Sequence, residues 1–397
     1  MFKRKICILW MAVGLTSLIF TLSIIKNPSS SDAAKAPTKN ADFIFSFTQE
    51  ASTTSDLVLT DDESSDASFV FAHQKNSIPI IERSCALSAS AVCHYGLFQI
   101  ETTPIAVFYT PSLSVNGAEK LMHLVRCYLD YFPLIIIGHF DHDTTTLLQT
   151  VVGLKPVFTN DFTIFTSCLI PTDISDTAIS CNVTPPAKAL DLNKPMVAIT
   201  YDDGPSPYTP KILDAIATNG AKATFYVLGA QVELHPETVR EIFKTGCEIG
   251  NHTNLHEIFS KNSTSIILKS IEETNTKIRN IIGIGAATVR PPTGALNNRH
   301  GSLVTTGYPI ILWSIDTRDF ENTRNEHELI ESIIHEITDG AIVLLHDIHE
   351  TTANASNTLF QRIIQNGFQC VTVSELLEFK ANGASADTVC KGDTDFE

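Results

Sequence analysis

Basic residues are scarce in this sequence. Lys and Arg number 28 against 44 Asp and Glu in 397 residues, a net charge of −16 with a pI near 5.2. A surface that neutralises nucleic-acid phosphates needs the opposite balance, so nucleic acid is excluded as a partner. Long hydrophobic runs are also rare. Outside residues 6–25 no stretch approaches 18 apolar residues, which excludes a polytopic membrane protein. No Cys-x-x-Cys occurs among the nine cysteines, which argues against a zinc ribbon or a thioredoxin-type dithiol. Apolar residues, by contrast, are plentiful. A 43% hydrophobic and 18% charged composition excludes a wholly disordered chain. The length suits two or three domains of about 100–200 residues each.

The long apolar run sets the expected compartment. Lys3, Arg4 and Lys5 precede it and Lys26 closes it. At about 1.5 Å per residue a helix of this length crosses the roughly 30 Å core of a bilayer. A secretory signal has a shorter apolar region and a small-x-small cleavage site, and Ser23-Ile24-Ile25 offers none. The sequence therefore predicts a transmembrane helix at 1–26, with the basic cluster inside and residues 27–397 outside the cell membrane. A cleaved signal and a secreted product are the alternative. Export permits disulfides, and Cys85/Cys93 and Cys168/Cys181 are close enough in sequence to pair, although spacing does not fix connectivity.

Residues 27–67 carry Asn27-Pro28-Ser29-Ser30-Ser31-Asp32 and the acidic stretch Asp61-Asp62-Glu63-Ser64-Ser65, the composition of a flexible tether. Residues 68–188 read as a small α+β domain, with strands at 78–81, 105–109 and 134–138 and a helix at 118–131. His139, Asp141, His142 and Asp143 follow the last strand as an ordinary polar turn, and Thr184-Pro185-Pro186 marks a boundary. From 190 to 380 strand-like runs recur at 196–201, 223–228, 248–252, 287–290, 309–315, 342–346 and 370–373. Helical stretches lie between and after them at 210–219, 236–245, 265–282, 298–306, 326–338, 355–366 and 374–380, leaving 381–397 as a tail. Strand alternating with helix implies parallel strands. Seven such repeats predict an α/β fold, a distorted (β/α)7 barrel, with its chemistry at the C-terminal ends of the strands.

Ionisable residues gather at those ends. The first strand ends in Asp202-Asp203-Gly204-Pro205-Ser206, the third at His252 with His256 four residues on, and the fourth in Arg290-Pro291-Pro292-Thr293-Gly294. The fifth ends in Trp313-Ser314-Ile315-Asp316-Thr317-Arg318-Asp319-Phe320 and the sixth in Leu344-Leu345-His346-Asp347. Imidazoles at i and i+4 on a helical turn share a face and can share a metal. With one carboxylate from Asp202-Asp203 they make a three-ligand set suited to zinc or a similar divalent ion.

These motifs, in this order, resemble those of the NodB-like polysaccharide deacetylases, carbohydrate esterase family four, over roughly residues 193–380. The resemblance implies that Asp203, His252 and His256 bind the metal, zinc first and cobalt, nickel or manganese as alternatives. It implies that Asp202 is the general base, aimed by Arg290. His346 would be the general acid, oriented and charged by Asp319. Leu344 would line the acetyl pocket, and the Thr293 backbone N–H would stabilise the oxyanion. Thr293 and Phe320 depart from the family, which usually has an aromatic residue and Trp there, so substrate preference is less defined than activity. Asp316, Arg318 and His349 stand as scaffold or rim positions.

The resemblance thus implies a membrane-tethered, extracytoplasmic, metal-dependent N-deacetylase. Its glycan partner would be N-acetylglucosamine in peptidoglycan or a chitin-like oligomer. The alternatives are an O-acetyl polysaccharide esterase, since the same chemistry cleaves esters, and a catalytically idle glycan-binding envelope protein that works through residues 68–188.

Overall fold

The structure is a computed structural model of the chain. It describes residue 191 and residues 193–321, 324–381 and 387–392. Upstream it describes the strands and helix named below and the strands Val70–His73, Lys155–Thr159, Thr163–Thr166 and Ile179–Ser180, with side chains only at Cys93, Tyr95, Phe108 and residues 119–128. The chain divides into two compact units, Met1–Ala189 and Leu190–Glu397.

In the upstream unit the apolar N-terminal run is not a helix. Leu9–Val13 and Thr16–Ser23 are strands paired antiparallel, and among the described residues no helix is long and apolar enough to cross a membrane. Periodicity does not separate helix from strand in a continuous apolar run, and the isoleucines that recur in this one favour extended backbone. Two further strands, Phe43–Gln49 and Thr54–Thr60, fall inside the stretch expected as a tether and pair antiparallel.

A second upstream sheet lies within residues 68–188. Ser77–Ser88, Ala91–Ile100 and Thr103–Tyr109 form an antiparallel meander. The helix Val115–Leu129 then crosses over to Leu134–Gly138, which lies parallel to Thr103–Tyr109. Leu121, Met122 and Val125 bury one helix face, and Tyr128 meets Tyr95 and Phe108 edge-on at ring-centroid distances of 6.0 and 5.4 Å. Cys85 and Cys93 occupy directly opposed register positions. Cys168, Cys181 and the group His139, Asp141, His142 and Asp143 lie outside the described residues.

In the downstream unit the parallel sheet runs Glu248–Asn251, Thr224–Val227, Met196–Asp202, Ala341–His346, Ile315–Asp316. The pairing continues beyond one edge, and a further strand joins the central one. Val289 bridges Asn251 on one side and Ile310 on the other, and Gln369–Val371 pairs with the start of Met196–Asp202. The strand expected at 287–290 is therefore reduced to one bridging residue, and the strand expected at 309–315 is broken into Ile310–Ile311 and Ile315–Asp316. The helix expected at 298–306 is absent. Asn298 Oδ1 instead accepts the N–H groups of His300 and Ser302, and Gly301 adopts φ 79°, a turn that competes with helix.

Side-chain alternation divides this unit into layers. Met196–Asp202 is buried at every position, as a parallel strand covered on both faces must be. Val197, Ile199 and Tyr201 face the helices, packing with Ile212, Ile216, Leu359 and Phe360. Met196 and Ala198 face the other way, with Tyr226, Ile311, Ile342 and Val371. The period of two then carries Thr200 and Asp202 to the same inner face, at the C-terminal end. Gly250 stands opposite Tyr226 in register, and a Cβ there would lie 2.3 Å from the Tyr226 ring. Gly250→Ala is therefore expected to destabilise by about 1–3 kcal/mol as overpacking. It should read as a lower urea midpoint at unchanged slope; an unchanged midpoint would contradict this packing.

Candidate active site

Asp202 and His346 are register partners on adjacent parallel strands, and the site is built outward from that pair. Arg290, fully buried, carries Asp202. Its Nη1 donates to Asp202 Oδ1 at 2.8 Å and to Thr200 Oγ1 at 2.6 Å, and Nη2 and Nε donate to the Leu312 and Ile311 carbonyls at 3.0 and 3.3 Å. The guanidinium lies 4.1 Å from the Tyr226 ring centroid and 5.8 Å from that of Trp313. Such a cation is compensated on every side, which a buried charge requires. The Tyr226 hydroxyl meets Thr288 at 3.2 Å, and Thr288 donates to the buried Glu248. Burial lifts the Glu248 carboxyl, against hydrogen bonds from Ser374, Thr288 and Thr224 that favour its charged form.

The second group is Asp203, His252 and His256. Asp203 Oδ1 lies 3.6 Å from Nε2 of His252 and 3.6 Å from Nε2 of His256, and the three ligand atoms all fall within 4.8 Å of one another. His252 Nδ1–H donates to the Arg290 carbonyl at 2.7 Å, which leaves Nε2 as the free nitrogen facing the carboxylates. Burial lowers the His252 pKa, outweighing the opposing charges of Asp202 and Asp203, so the ring favours its neutral, ligating form. Asp203 Oδ1 is buried and accepts no hydrogen bond. An orphaned carboxylate oxygen beside two imidazole nitrogens is the donor set a divalent cation requires. These residues fit a metal.

One expectation about this group needs correction. His252 and His256 are not on a helical turn. They sit on the loop between Glu248–Asn251 and the 3₁₀ turn Phe259–Lys261, with Thr253 at φ 71° and His256 at φ 62°. Left-handed backbone at these two residues, not helical periodicity, brings the imidazoles together.

The third group is His346 and Asp319. His346 Nδ1–H donates to Asp319 Oδ1 at 2.7 Å, while Oδ2 accepts the His346 backbone N–H at 2.8 Å and the Thr352 hydroxyl at 2.7 Å. Burial alone would lower the His346 pKa. The Asp319 hydrogen bond and charge, with the charges of Asp202 and Asp203, push it up to about 9. Burial raises Asp319, but the same hydrogen bonds and the imidazolium charge hold it below the usual carboxylate range.

The remaining expected positions stand beside these groups. Leu344 is buried two residues before His346, on the same face of its strand. Thr293 is exposed, at φ 60° in the turn Pro292–Gly294. Asp316 and Arg318 are exposed rim residues, and the His349 ring meets that of His346 edge-on at 5.9 Å. Gly204 admits the Asp347 carboxylate, since a Cβ there would lie 2.1 Å from Oδ2. Thr200, Tyr226 and Thr352 were not singled out by sequence. Thr200 was available from the alternation that ends at Asp202, whereas the other two are set by tertiary packing.

With this geometry established, comparison with known proteins is informative. The polysaccharide deacetylase family profile matches residues 189–309. A peptidoglycan-N-acetylmuramic acid deacetylase of Bacillus subtilis, PdaC, is 36% identical over 197 residues, 49% of this chain and 42% of that protein. A peptidoglycan-N-acetylglucosamine deacetylase of Bacillus cereus is 35% identical over 195 residues, 47% of this chain and 91% of that protein. The solved structure of PdaC superimposes with a TM-score of 0.46 at 35% identity, covering 49% of this chain and 95% of the solved one. The chain spans less than half the length of the Bacillus subtilis protein.

Proposed function

The chain belongs to the polysaccharide deacetylase family, and from that premise we propose that it is a metal-dependent hydrolase removing N-acetyl groups from an extracytoplasmic glycan. The favoured target is N-acetylglucosamine in peptidoglycan or a chitin-like oligomer, with free amino sugar and acetate as products. The observation that carries the reading is the convergence of Asp203, His252 and His256, flanked by the Asp202–Arg290 pair and the His346–Asp319 pair. The substrates for which the two bacterial relatives are named, both peptidoglycan amino sugars, support the substrate class.

An amide has a weak electrophile and a poor leaving group, so hydrolysis needs an acidified water, a polarised carbonyl and a proton for nitrogen. A divalent ion held by Asp203, His252 and His256, zinc being favoured, supplies the first two as a Lewis acid. Asp202 takes the proton of the attacking water, and Arg290, pinned by Thr200 and two carbonyls, keeps that carboxylate in place. His346, whose Nδ1 is tied to Asp319, presents Nε2 to protonate the departing nitrogen as the C–N bond breaks. The Thr293 N–H faces the developing oxyanion, and Leu344 covers the acetyl methyl.

The test is acetate release by the full chain, reconstituted with zinc, from N-acetylglucosamine oligomers, peptidoglycan and acetylated xylan. Release from either of the first two is expected. Release from xylan alone makes the chain an O-acetyl esterase, and silence on all three overturns the enzymatic reading.

A further inference from the structure

We propose that Glu257 and Ser270 form a hydrogen-bonded staple that positions His256 for metal binding, a role that rests on the metal-site reading above. His252 needs no such device, because it directly follows a strand and its Nδ1 is fixed by the Arg290 carbonyl. His256 has neither support. It lies four residues further along a loop, at φ 62°, with its Nε2 3.6 Å from Asp203 Oδ1 and its ring edge-on to His252. A left-handed conformation at a non-glycine residue is strained and persists only where neighbours over-determine it. Thr253, also left-handed and β-branched, adds to that demand.

The neighbours that meet the demand converge on one carboxylate and one hydroxyl. Glu257 Oε2 accepts the Leu255 N–H at 2.9 Å and the Ser270 hydroxyl at 2.6 Å. The same Ser270 oxygen accepts the Asn254 N–H at 2.7 Å, and Thr253 Oγ1 accepts the Glu257 N–H at 3.0 Å. The N–H groups of Asn254 and Leu255 before His256 and the Glu257 side chain after it are thereby tied to one point on the helix Thr264–Ile282, Ser270, while the Glu257 N–H closes the loop back onto Thr253. Ser270 is buried on the inner face of that helix beside Ile267, Ile271 and Thr274, so the point is rigid. Asn251 secures the other end of the loop, accepting the Thr253 N–H at 2.9 Å while its amide donates to Ile271 and Asn275 of the same helix. Glu257 touches neither the ligand atoms nor the reacting groups, so it is a positioning residue.

The experiment measures Co²⁺ affinity of the full chain by competition with a chromophoric chelator. The variants are Glu257→Ala, Glu257→Gln and Ser270→Ala, with the exposed Glu241→Ala as control. Loss of a group that orients a metal ligand weakens binding by about 10–100-fold, and that is expected for Glu257→Ala and Ser270→Ala. Glu257→Gln, which keeps an acceptor oxygen, should fall between them and wild type. The double variant should lose less than the two single losses combined, because the pair acts as a unit. The visible bands of bound Co²⁺ should change in the alanine variants, and the melting temperature in chelator should not follow the affinity loss. Wild-type affinity in both alanine variants overturns the staple, as does an affinity loss that tracks unfolding of the chelated protein. A wild-type chain that binds no Co²⁺ overturns the metal site and the staple together. Normal Co²⁺ binding without acetate release fails the activity reading alone.

Discussion

Asp202→Asn is expected to lower acetate release by about 10²–10⁴-fold, the usual contribution of a positioned general base, while leaving the chain folded and able to bind metal. The substitution keeps shape and an acceptor oxygen, so Arg290 retains a partner at the position of Oδ1 along with Thr200 and the Leu312 carbonyl. What it removes is a proton-accepting carboxylate oxygen, Oδ2, which lies 3.6 Å from His252 Nε2 and so borders the ligand group. Asp203, His252 and His256 are untouched, which separates loss of the base from loss of the metal. Steady-state acetate release beside a Co²⁺ titration of the same protein reads both. Activity within a few-fold of wild type would remove Asp202 from the proton transfer.

Asp319→Asn is expected to move the alkaline limb of the kcat/KM profile downward by about 1–3 pH units, the range over which an adjacent opposite charge shifts a titration. His346 must be protonated to act as the acid. In the intact protein, burial works against that form, but Asp319 wins and holds the pKa up at about 9. The raised pKa keeps the acid protonated through neutral pH, and the acid is lost at more alkaline pH. An ion at Asp203 offsets the help that the Asp202 and Asp203 charges give, which leaves Asp319 as the dominant support. With asparagine in its place the hydrogen bond survives in weaker form, the charge does not, and burial prevails. Activity near pH 7 should then fall and recover on acidification. A limb that stays where it was would show that His346 is not the acid or that Asp319 does not set its charge.

The sequence made the site legible because parallel β/α repeats carry functional residues to one end of the sheet, and a period of two fixes which face they share. Asp202 and His346 could be placed by those rules, as register partners at the C-terminal ends of adjacent parallel strands. The rules failed where backbone departs from regular elements. His252 and His256 read as a helical pair, since spacing of four is the helix signature, but left-handed residues bend the loop instead. Asn298 diverted residues 298–306 from helix by accepting two backbone N–H groups, and the strand expected at 287–290 kept only the Val289 bridges. In the N-terminal run, apolar composition did not decide between helix and strand. The supports of the catalytic groups were the least visible. Tyr226 over Arg290, Thr352 on Asp319 and Ser270 on Glu257 are joined by tertiary contacts between residues far apart or on different elements, with no local pattern to announce them.

The most direct test of the account is the metal dependence of acetate release from an N-acetylglucosamine oligomer by the full chain. After chelation, activity should disappear, and one equivalent of zinc or Co²⁺ should restore it in the wild type but not in His252→Ala. Acetate release that survives chelation, or that returns equally in His252→Ala, would contradict the assignment of Asp203, His252 and His256 as the metal centre of a deacetylase.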